Sequence, residues 1–294
     1  MTRTLRIRAG LGHAVKAAVV LGSLAVAGCG FSPSGTGGDG GSDDDAPDRD
    51  GPAGDDGGPD GPPTAPDAGP DAPTPSTFCQ DDSANLVVCL TFDDGTAANQ
   101  ASGRPQPASA MISPRVGRVG QSAGFDAIDD VLWFDEAGDF DFTGDFAIEM
   151  FVYYSQDPPT SGNPDDRRLG LIDNNNQYSM FLGWHQVGAA GPDLVTPYCN
   201  AGGTVWGAPI VRDTWNHVAC VRTAGMLMIY TNGFLGESRT ASPPGTTGTN
   251  GLVLAQDGDA NPTVLSDPLM GGLDEVRIWR TGRTPVEIWN AAHR

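Results

Sequence analysis

The chain has 294 residues, enough for one large domain or two small ones. It carries 37 acidic residues against 17 lysines and arginines, and its net charge of −20 argues against a nucleic-acid partner, because phosphate binding needs clustered cations. A chain uniformly rich in its 41 glycines and 24 prolines would pack poorly, so we expect the sequence to divide into unlike segments.

The first segment, residues 1–28, predicts an export signal. It begins with four cations and no acid, and a short apolar run follows at residues 17–27. That run is too short to span a bilayer, which needs about 20 apolar residues. A basic start followed by a short apolar run is typical of a signal peptide.

The end of this segment, Val26-Ala27-Gly28-Cys29, resembles the bacterial lipobox. The resemblance implies that Cys29 is acylated and becomes the first residue of the mature chain, with several acyl chains giving stable membrane attachment. A soluble secreted protein whose signal contains a cysteine is the alternative. We therefore expect a lipid-anchored protein of the bacterial cell envelope. Gly30 replaces the Asp that retains some lipoproteins in the inner membrane, which favours the outer membrane or cell surface.

The second segment, residues 29–77, predicts a disordered tether. Glycine, proline and aspartate make up 33 of the 48 residues from 30 to 77, and leucine, isoleucine, valine and methionine are absent. Such a stretch buries too little apolar surface to offset the entropy of ordering it. Its aspartate runs lack the fixed ligand spacing of a calcium loop, so we expect a spacer.

The third segment, residues 78–294, is long enough for one domain with a sizeable core. Apolar alternation and β-branched or aromatic runs predict strands at Leu86–Phe92, Val131–Phe134, Phe146–Tyr154, Tyr178–Trp184, Trp215–Val221, Met226–Tyr230, Leu252–Leu254 and Leu273–Trp279. Asn232-Gly233 predicts a hairpin, and Thr284 with Glu287 predicts the capped start of a terminal helix. The pattern predicts an all-β sandwich of two antiparallel sheets.

Six motifs of this domain occur in the order found in a known family. They are Cys89-Leu90-Thr91-Phe92-Asp93-Asp94-Gly95, Gly120-Gln121-Ser122-Ala123-Gly124-Phe125-Asp126, Asp145-Phe146-Ala147-Ile148-Glu149-Met150-Phe151-Val152, Trp215-Asn216-His217-Val218-Ala219, Ile229-Tyr230-Thr231-Asn232-Gly233 and Gly272-Leu273-Asp274-Glu275-Val276-Arg277-Ile278-Trp279. Together they resemble the laminin G-like, concanavalin A-like jelly roll common in bacterial surface proteins. The resemblance covers nearly all of residues 80–292 and implies a jelly-roll arrangement of the two sheets.

Besides Cys29, the chain has four cysteines, an even number in an exported protein. Three pairings are possible. We favour Cys79–Cys89, because the terminal arm can fold back on the first strand, and Cys199–Cys220, because each lies at or near a predicted strand. A zinc site is the alternative, but the chain contains no CxxC pair.

Three patterns invite a catalytic interpretation, and each has a structural one that we favour. Gly120–Gly124 matches the GxSxG nucleophile elbow, but the residues after it predict strand and turn where an elbow needs a helix. His217 lies in a predicted strand, as a core or rim histidine does. Glu149 stands alone among apolar neighbours, whereas glycoside hydrolysis normally needs two carboxylates at a set separation. We therefore expect no enzymatic activity.

Calcium is the cofactor that the resemblance suggests, in a structural role. Related jelly rolls often hold calcium between the first and last strands, and Asp93 and Asp94 end the first predicted strand. The expected ligands are Asp93 and Asp274, with Asp94 as a third. A second acidic run at residues 257–261 has Pro262 where a calcium loop has glycine, so it predicts a turn.

The position of Asp274 carries much of this prediction. In a regular strand Asp274 shares a face with Val276 and Ile278, which predicts that its carboxylate lies on the core side. A carboxylate there costs free energy unless it is hydrogen-bonded or bound to a metal. Capping of turns and pairing with Arg277 or Arg280 remain open as alternatives.

Aromatic residues between and at the ends of the predicted strands carry the functional hypothesis. Trp184, Tyr198 and Trp206 offer flat rings that suit sugar faces or protein contacts. The hypothesis is a non-catalytic module that binds a carbohydrate or a cell-surface protein through these residues. The alternative is a structural or enzyme-accessory domain of a cell-envelope assembly, with a glycan-active enzyme as a third reading.

Overall fold

The computed structural model describes residues 75–80, 84–163, 166–175, 177–186, 191–245, 251–258 and 265–294. The predicted signal segment, the proposed lipidation site Cys29 and the predicted tether as far as residue 74 lie outside the described residues. None of the helices in the described ranges has the length and apolar character needed to cross a membrane.

Strands make up most of the described chain. In order they are β1 (Leu86–Leu90), β2 (Ser109–Met111), β3 (Ser113–Val116), β4 (Gln121–Phe125), β5 (Val131–Phe134), β6 (Phe146–Tyr154), β7 (Arg168–Asn174), β8 (Tyr178–Gln186), β9 (Asp193–Asn200), β10 (Thr204–Trp206), β11 (Asn216–Thr223), β12 (Met226–Thr231), β13 (Phe234–Thr240), β14 (Leu252–Leu254), β15 (Asp257–Gly258), β16 (Leu265–Ser266) and β17 (Gly271–Trp279). A 3-10 helix at Pro75–Gln80 precedes them, and helix α1 at Pro285–Ala292 follows them.

These strands form two antiparallel sheets. Sheet I has eight strands in the order β13-β12-β11-β6-β17-β4-β3, with β1 also paired to β17. Sheet II has seven strands in the order β10-β9-β8-β7-β14-β5-β2. Strands β15 and β16 form a small ribbon that contacts β7 and β14. The predicted all-β, two-sheet antiparallel sandwich is confirmed.

The core lies between the two sheets, and strand alternation explains its composition. On β6 of sheet I, the apolar residues Ile148, Met150 and Val152 enter the core, whereas the residues between them face outward. Met180 and Leu182 of β8 enter the same cluster from sheet II. Burying each of these side chains stabilises the fold by about 1.5–3 kcal/mol.

Two disulfide bonds connect parts of the sandwich. Cys199 of β9 and Cys220 of β11 are bonded across the core and join sheet II to sheet I. Cys79 is bonded to Cys89 and attaches the 3-10 helix to β1. Both favoured pairings are therefore present.

Local signals define several boundaries of the fold. Strands β5, β6 and β14 begin and end where the sequence predicts. Asn232 and Gly233 have φ angles of 51° and 83°, the left-handed pair that a tight hairpin requires between β12 and β13. Thr284 accepts a hydrogen bond from the N–H of Glu287, and the Glu287 side chain accepts one from the N–H of Thr284. The predicted cap of α1 is thus confirmed.

Both ends of the described chain cover the outer face of sheet I. Phe78 of the 3-10 helix and Ile288 of α1 belong to a second apolar cluster together with Ala219 and Trp279. This cover buries the outward-facing residues of β6, β11 and β17. Sheet I is therefore buried on both faces along its central strands.

A charged group is enclosed in this second layer. Arg277 of β17 lies opposite Glu149 of β6 and forms an ion pair with it, and each side chain is 1% exposed. Arg277 also lies over the ring of Phe78, with 3.9 Å between its Cζ and the ring centroid. Glu149 has only apolar neighbours in sequence, and its partner comes from β17, the strand beside β6 in the sheet.

His217 is the buried structural histidine that the sequence favours. Its Nε2 lies 3.8 Å from Oε2 of Glu149. Burial, reinforced by the positive charge of Arg277, lowers the pKa of His217 to about 3, so its ring is neutral at physiological pH. Neither ring nitrogen has a hydrogen-bond partner within the described part of the chain.

Candidate functional site

Two adjoining cavities open on the outer face of sheet II. The larger has a volume of about 430 Å³ and the smaller about 270 Å³. Asn200 of β9 and Thr204 of β10 line both, so the cavities form one continuous groove. We refer to the two cavities together as the groove.

The register of four strands places a row of polar side chains in the groove. Ser179 of β8 is aligned with Asp173 of β7 and with Asn200 of β9, and Asn200 is aligned with Thr204 of β10. Aligned residues of neighbouring strands share a face of the sheet. The hydroxyl of Thr204 donates to Oδ1 of Asn200 at 2.6 Å. We call these four residues the polar row.

A row of aromatic side chains lies two residues further along the same strands. Phe181 of β8 is aligned with Tyr198 of β9, which is aligned with Trp206 of β10. The ring centroids are 5.5 Å apart for Phe181 and Tyr198 and 4.4 Å apart for Tyr198 and Trp206. His185 stacks on Trp206, with 4.4 Å between centroids. We call Phe181, Tyr198 and Trp206 the aromatic row.

The aromatic row depends on a glycine beneath it. A Cβ atom at Gly183 would lie 3.0 Å from Cε1 of Tyr198 and 3.5 Å from the Trp206 ring. A side chain at this position would therefore force the Tyr198 ring to shift and would touch the Trp206 ring.

All three residues predicted to bind a ligand line the larger cavity. Tyr198 and Trp206 belong to the aromatic row. Trp184 differs, because its ring packs against the core and its Nε1 donates to the carbonyl oxygens of Pro158 and Pro159 at 3.0 and 3.2 Å. Trp184 therefore forms part of the cavity wall, and its contacts with the core and with Pro158 and Pro159 hold its ring in place.

A buried cluster of charged groups lies beside the polar row. Arg168 of β7 forms ion pairs with Asp257 and Asp267, and its Nε lies 2.7 Å from Oδ2 of Asp267. Asp173 accepts a hydrogen bond from the N–H of Gly258 at 3.2 Å. Burial and the neighbouring Asp257 raise the pKa of Asp173 to about 8, so this carboxyl pair retains a proton at neutral pH.

The position of Asp257 differs from the predicted turn. Asp257 lies in β15, aligned with Ser266 of β16, and it is buried. Residues 259–261 of the predicted turn lie outside the described ranges. Asp257 is held in an extended conformation by this pairing and by its ion pair with Arg168, neither of which leaves a signal in the local sequence.

The predicted calcium ligands lie away from the groove, around a loop that precedes β4. Oδ2 of Asp274 accepts hydrogen bonds from the N–H groups of Arg118 and Val119 at 2.7 and 3.0 Å. Oδ1 of Asp93 accepts one from the N–H of Gln121 at 3.2 Å. Asp93 and Asp274 therefore hold the same loop. Asp94 instead accepts hydrogen bonds from Thr96 within its own turn.

The predicted strand parity of Asp274 is wrong. A bulge, with Glu275 at a φ of 52°, interrupts β17 directly after Asp274. Leu273 therefore shares the core with Val276 and Ile278, and Asp274 lies on the other face of the sheet.

Turn capping is the alternative that the contacts of these carboxylates favour. The other alternative was an ion pair of Asp274 with Arg277 or Arg280. Arg277 is instead paired with Glu149, and Arg280 with Asp139. Burial raises the pKa of Asp274 to about 7, against the effect of its backbone donors. Within the described ranges, no three His, Cys, Asp or Glu side chains are grouped so that they could hold a metal ion. Calcium binding stays a prediction.

The geometry of two possible catalytic groups fits a structural role. Ser122 of the GxSxG match lies in β4, buried, and its hydroxyl donates to the carbonyl of Arg115 at 3.4 Å. A turn and β5 follow β4, where an elbow has a helix. Asp173 and Asp257 are hydrogen-bonded to each other, whereas the carboxyl groups of glycosidases are separated by about 5 Å or more.

Residues 123–289, from β4 into α1, match the concanavalin A-like lectin/glucanases superfamily. The chain belongs to this superfamily. The matched range of this lectin/glucanase fold contains every residue of the polar and aromatic rows. No curated protein sequence matches the chain.

Solved structures of the same sandwich include several binding domains. Domain 4 of AbnA, a GH43 extracellular arabinanase from Geobacillus stearothermophilus solved with arabinotriose, is similar with a TM-score of 0.52 and 16% identity, over 71% of this chain and 98% of that domain. A structure of botulinum neurotoxin type C, whose cell entry depends on two ganglioside molecules, has a TM-score of 0.50 and 10% identity, over 72% of this chain and 51% of that one. The binding domain of botulinum neurotoxin DC in complex with SialylT has a TM-score of 0.50 and 10% identity, over 72% of this chain and 51% of that one. At these identities the likeness concerns the fold alone.

Proposed function

We propose that the domain is a non-catalytic module that binds a carbohydrate in the groove of sheet II. The observation that carries the proposal is that Tyr198 and Trp206 line the same cavity as the polar residues Asn200 and Thr204. Aromatic rings present apolar faces that suit the C–H face of a sugar, and nearby polar side chains can bind its hydroxyl groups. Few other ligands combine both requirements in one ring.

The spacing of the two rows suits a sugar lying across them. Residues two positions apart in a strand are separated by about 7 Å. A ring stacked on Trp206 can therefore extend its hydroxyl groups toward Asn200 and Thr204. Asp173 lines the smaller cavity at the far end of the row, where its carboxyl oxygens can accept a hydrogen bond from a sugar hydroxyl group.

The comparisons support a carbohydrate as the ligand. The superfamily is described as lectins and glucanases, and domain 4 of AbnA was solved with arabinotriose. Cell entry of the type C neurotoxin depends on its interaction with two ganglioside molecules. A cell-surface protein is the alternative partner, and an accessory or structural role in a cell-envelope assembly is the alternative function.

We further propose that Cys29 anchors the protein by lipid to the bacterial cell envelope, at the outer membrane or cell surface. The lipobox-like sequence around Cys29 supports this. Globomycin, which blocks lipoprotein signal cleavage, should make the precursor accumulate. Normal processing in its presence would contradict the anchor.

Replacing Trp206 with alanine should weaken binding of the best ligand from a glycan array about tenfold or more. Loss of ring stacking removes about 1.5 kcal/mol, which corresponds to roughly that factor in Kd. Isothermal titration calorimetry measures the affinity, and circular dichroism checks that the variant stays folded.

Trp289→Ala is the matched control, because Trp289 is 41% exposed on α1 and takes no part in the groove. It should leave the affinity unchanged. A blank glycan array, or full affinity in Trp206→Ala, would contradict the proposed function and favour a protein partner.

A further inference from the structure

The groove contains a cation that has no carboxylate partner among the residues that the structure describes. Arg167 and Arg168 both line the larger cavity. Arg168 is held by two aspartates, whereas Arg167 forms no ion pair or hydrogen bond with the residues that the structure describes. Nε of Arg167 is shielded from solvent and has no hydrogen-bond acceptor there.

An arginine without an ion pair among the described residues is unexpected in this acidic domain. Residues 78–294 hold 26 acidic side chains and 12 arginines, so carboxylate partners are abundant. The shielded Nε itself is out of reach of a ligand. The outer N–H groups of Arg167, which lines the cavity and forms no ion pair with the described residues, are free to bind a negatively charged group of a ligand there.

We propose that the groove binds an acidic glycan and that Arg167 receives the carboxylate of one of its sugars. The inference rests on the proposed function and names the ligand class for the same groove. A guanidinium group presents its N–H donors in a planar fork that matches a carboxylate in two-point contact. Trp206 and Tyr198, which line the same cavity, supply the aromatic surface for the ring that carries the carboxylate.

The acidic side chains around the cavity are engaged in other contacts, which limits their repulsion of a ligand carboxylate. Arg168 forms ion pairs with both Asp257 and Asp267 and offsets one of their two negative charges. Asp166 accepts a hydrogen bond from the N–H of Asn163 at 3.3 Å, which holds its carboxylate in that turn. The proton retained by Asp173 removes a further negative charge from the polar row at neutral pH.

The test uses pairs of probes that differ only in the carboxylate. Oligosaccharides of galacturonic, glucuronic and mannuronic acid are each titrated into the full chain beside their carboxyl-reduced counterparts, and sialyllactose is titrated beside lactose. At least one acidic probe should bind about tenfold more tightly than its neutral counterpart, the factor expected for a charge-assisted hydrogen bond.

Arg167→Gln should remove this difference, measured as the ratio of the Kd values of the neutral and acidic probes. Arg167→Lys should retain part of it, because lysine keeps the charge and loses the planar fork. Arg212→Gln is the matched control, since Arg212 is exposed and pairs with Asp157 outside the groove. It should keep the full preference for the acidic probe.

The outcomes separate this inference from the proposed function. If every acidic probe binds no better than its neutral counterpart, or if Arg167→Gln keeps the preference, the inference is overturned. Binding of a neutral sugar that is lost in Trp206→Ala would then leave the proposed function standing. If no sugar binds at all, both fail.

Discussion

Replacing Arg277 with methionine is expected to lower the free energy of unfolding by about 3–5 kcal/mol. The substitution leaves Glu149 buried, at 1% exposure, without its compensating charge. Burial, the main cause of the lowered pKa of His217, still disfavours its charged form, so the histidine compensates Glu149 poorly. Without Arg277, Glu149 must take up a proton on folding, so the loss should grow as pH rises above the ordinary pKa of a glutamate.

Urea unfolding followed by circular dichroism measures this loss. The double variant Glu149→Leu/Arg277→Met should recover most of the stability, because both charges are removed together. Arg212→Met, at an exposed ion pair, should change the free energy of unfolding by less than about 1 kcal/mol. An Arg277→Met variant as stable as that control would show that the buried pair contributes little.

Removing the Cys199–Cys220 bond is the second large effect. The cysteines are separated by 21 residues, and the bond restricts the unfolded chain by an amount worth about 3 kcal/mol. Because it crosses the core, its loss also removes a link between the two sheets. The double variant Cys199→Ala/Cys220→Ala should therefore unfold at markedly lower urea concentration than the wild type.

Cys79→Ala/Cys89→Ala provides the comparison. Its loop spans only 10 residues and attaches the 3-10 helix to β1, so the expected loss is smaller. Equal losses for the two double variants would contradict a special role for the bond between the sheets. Mass spectrometry of the wild type confirms beforehand that both bonds are formed.

Local sequence patterns predict much of this fold because its central strands obey a regular alternation. The apolar residues of β6 alternate cleanly, and the Asn232-Gly233 hairpin and the cap at Thr284 are decided by neighbouring residues. Other strands depart from this alternation, as β17 and β7 illustrate. The bulge at Glu275 shifts β17 by a residue, and β7 has a register shift after Gly170. A bulge depends on pairing with other strands, which short-range patterns do not contain.

The site was predictable only in part, for a related reason. Tyr198 and Trp206 stand out as aromatic residues, but their common row depends on the register in which β9 pairs with β8 and β10, which the residue types alone do not specify. One usable signal was present. Once Cys199 is assigned to the core by its disulfide, alternation turns Tyr198 and Asn200 outward together. Arg167 carried no such signal, because its lack of a partner is a property of the folded surroundings.

Phe78 and the groove lie on opposite faces of the sandwich. Phe78 packs on the outer face of sheet I, whereas the aromatic row lies on the outer face of sheet II. The 3-10 helix at Pro75–Gln80 therefore lies on the side of the sandwich opposite the groove and leaves the groove uncovered. A large polymer can approach the groove without meeting this helix.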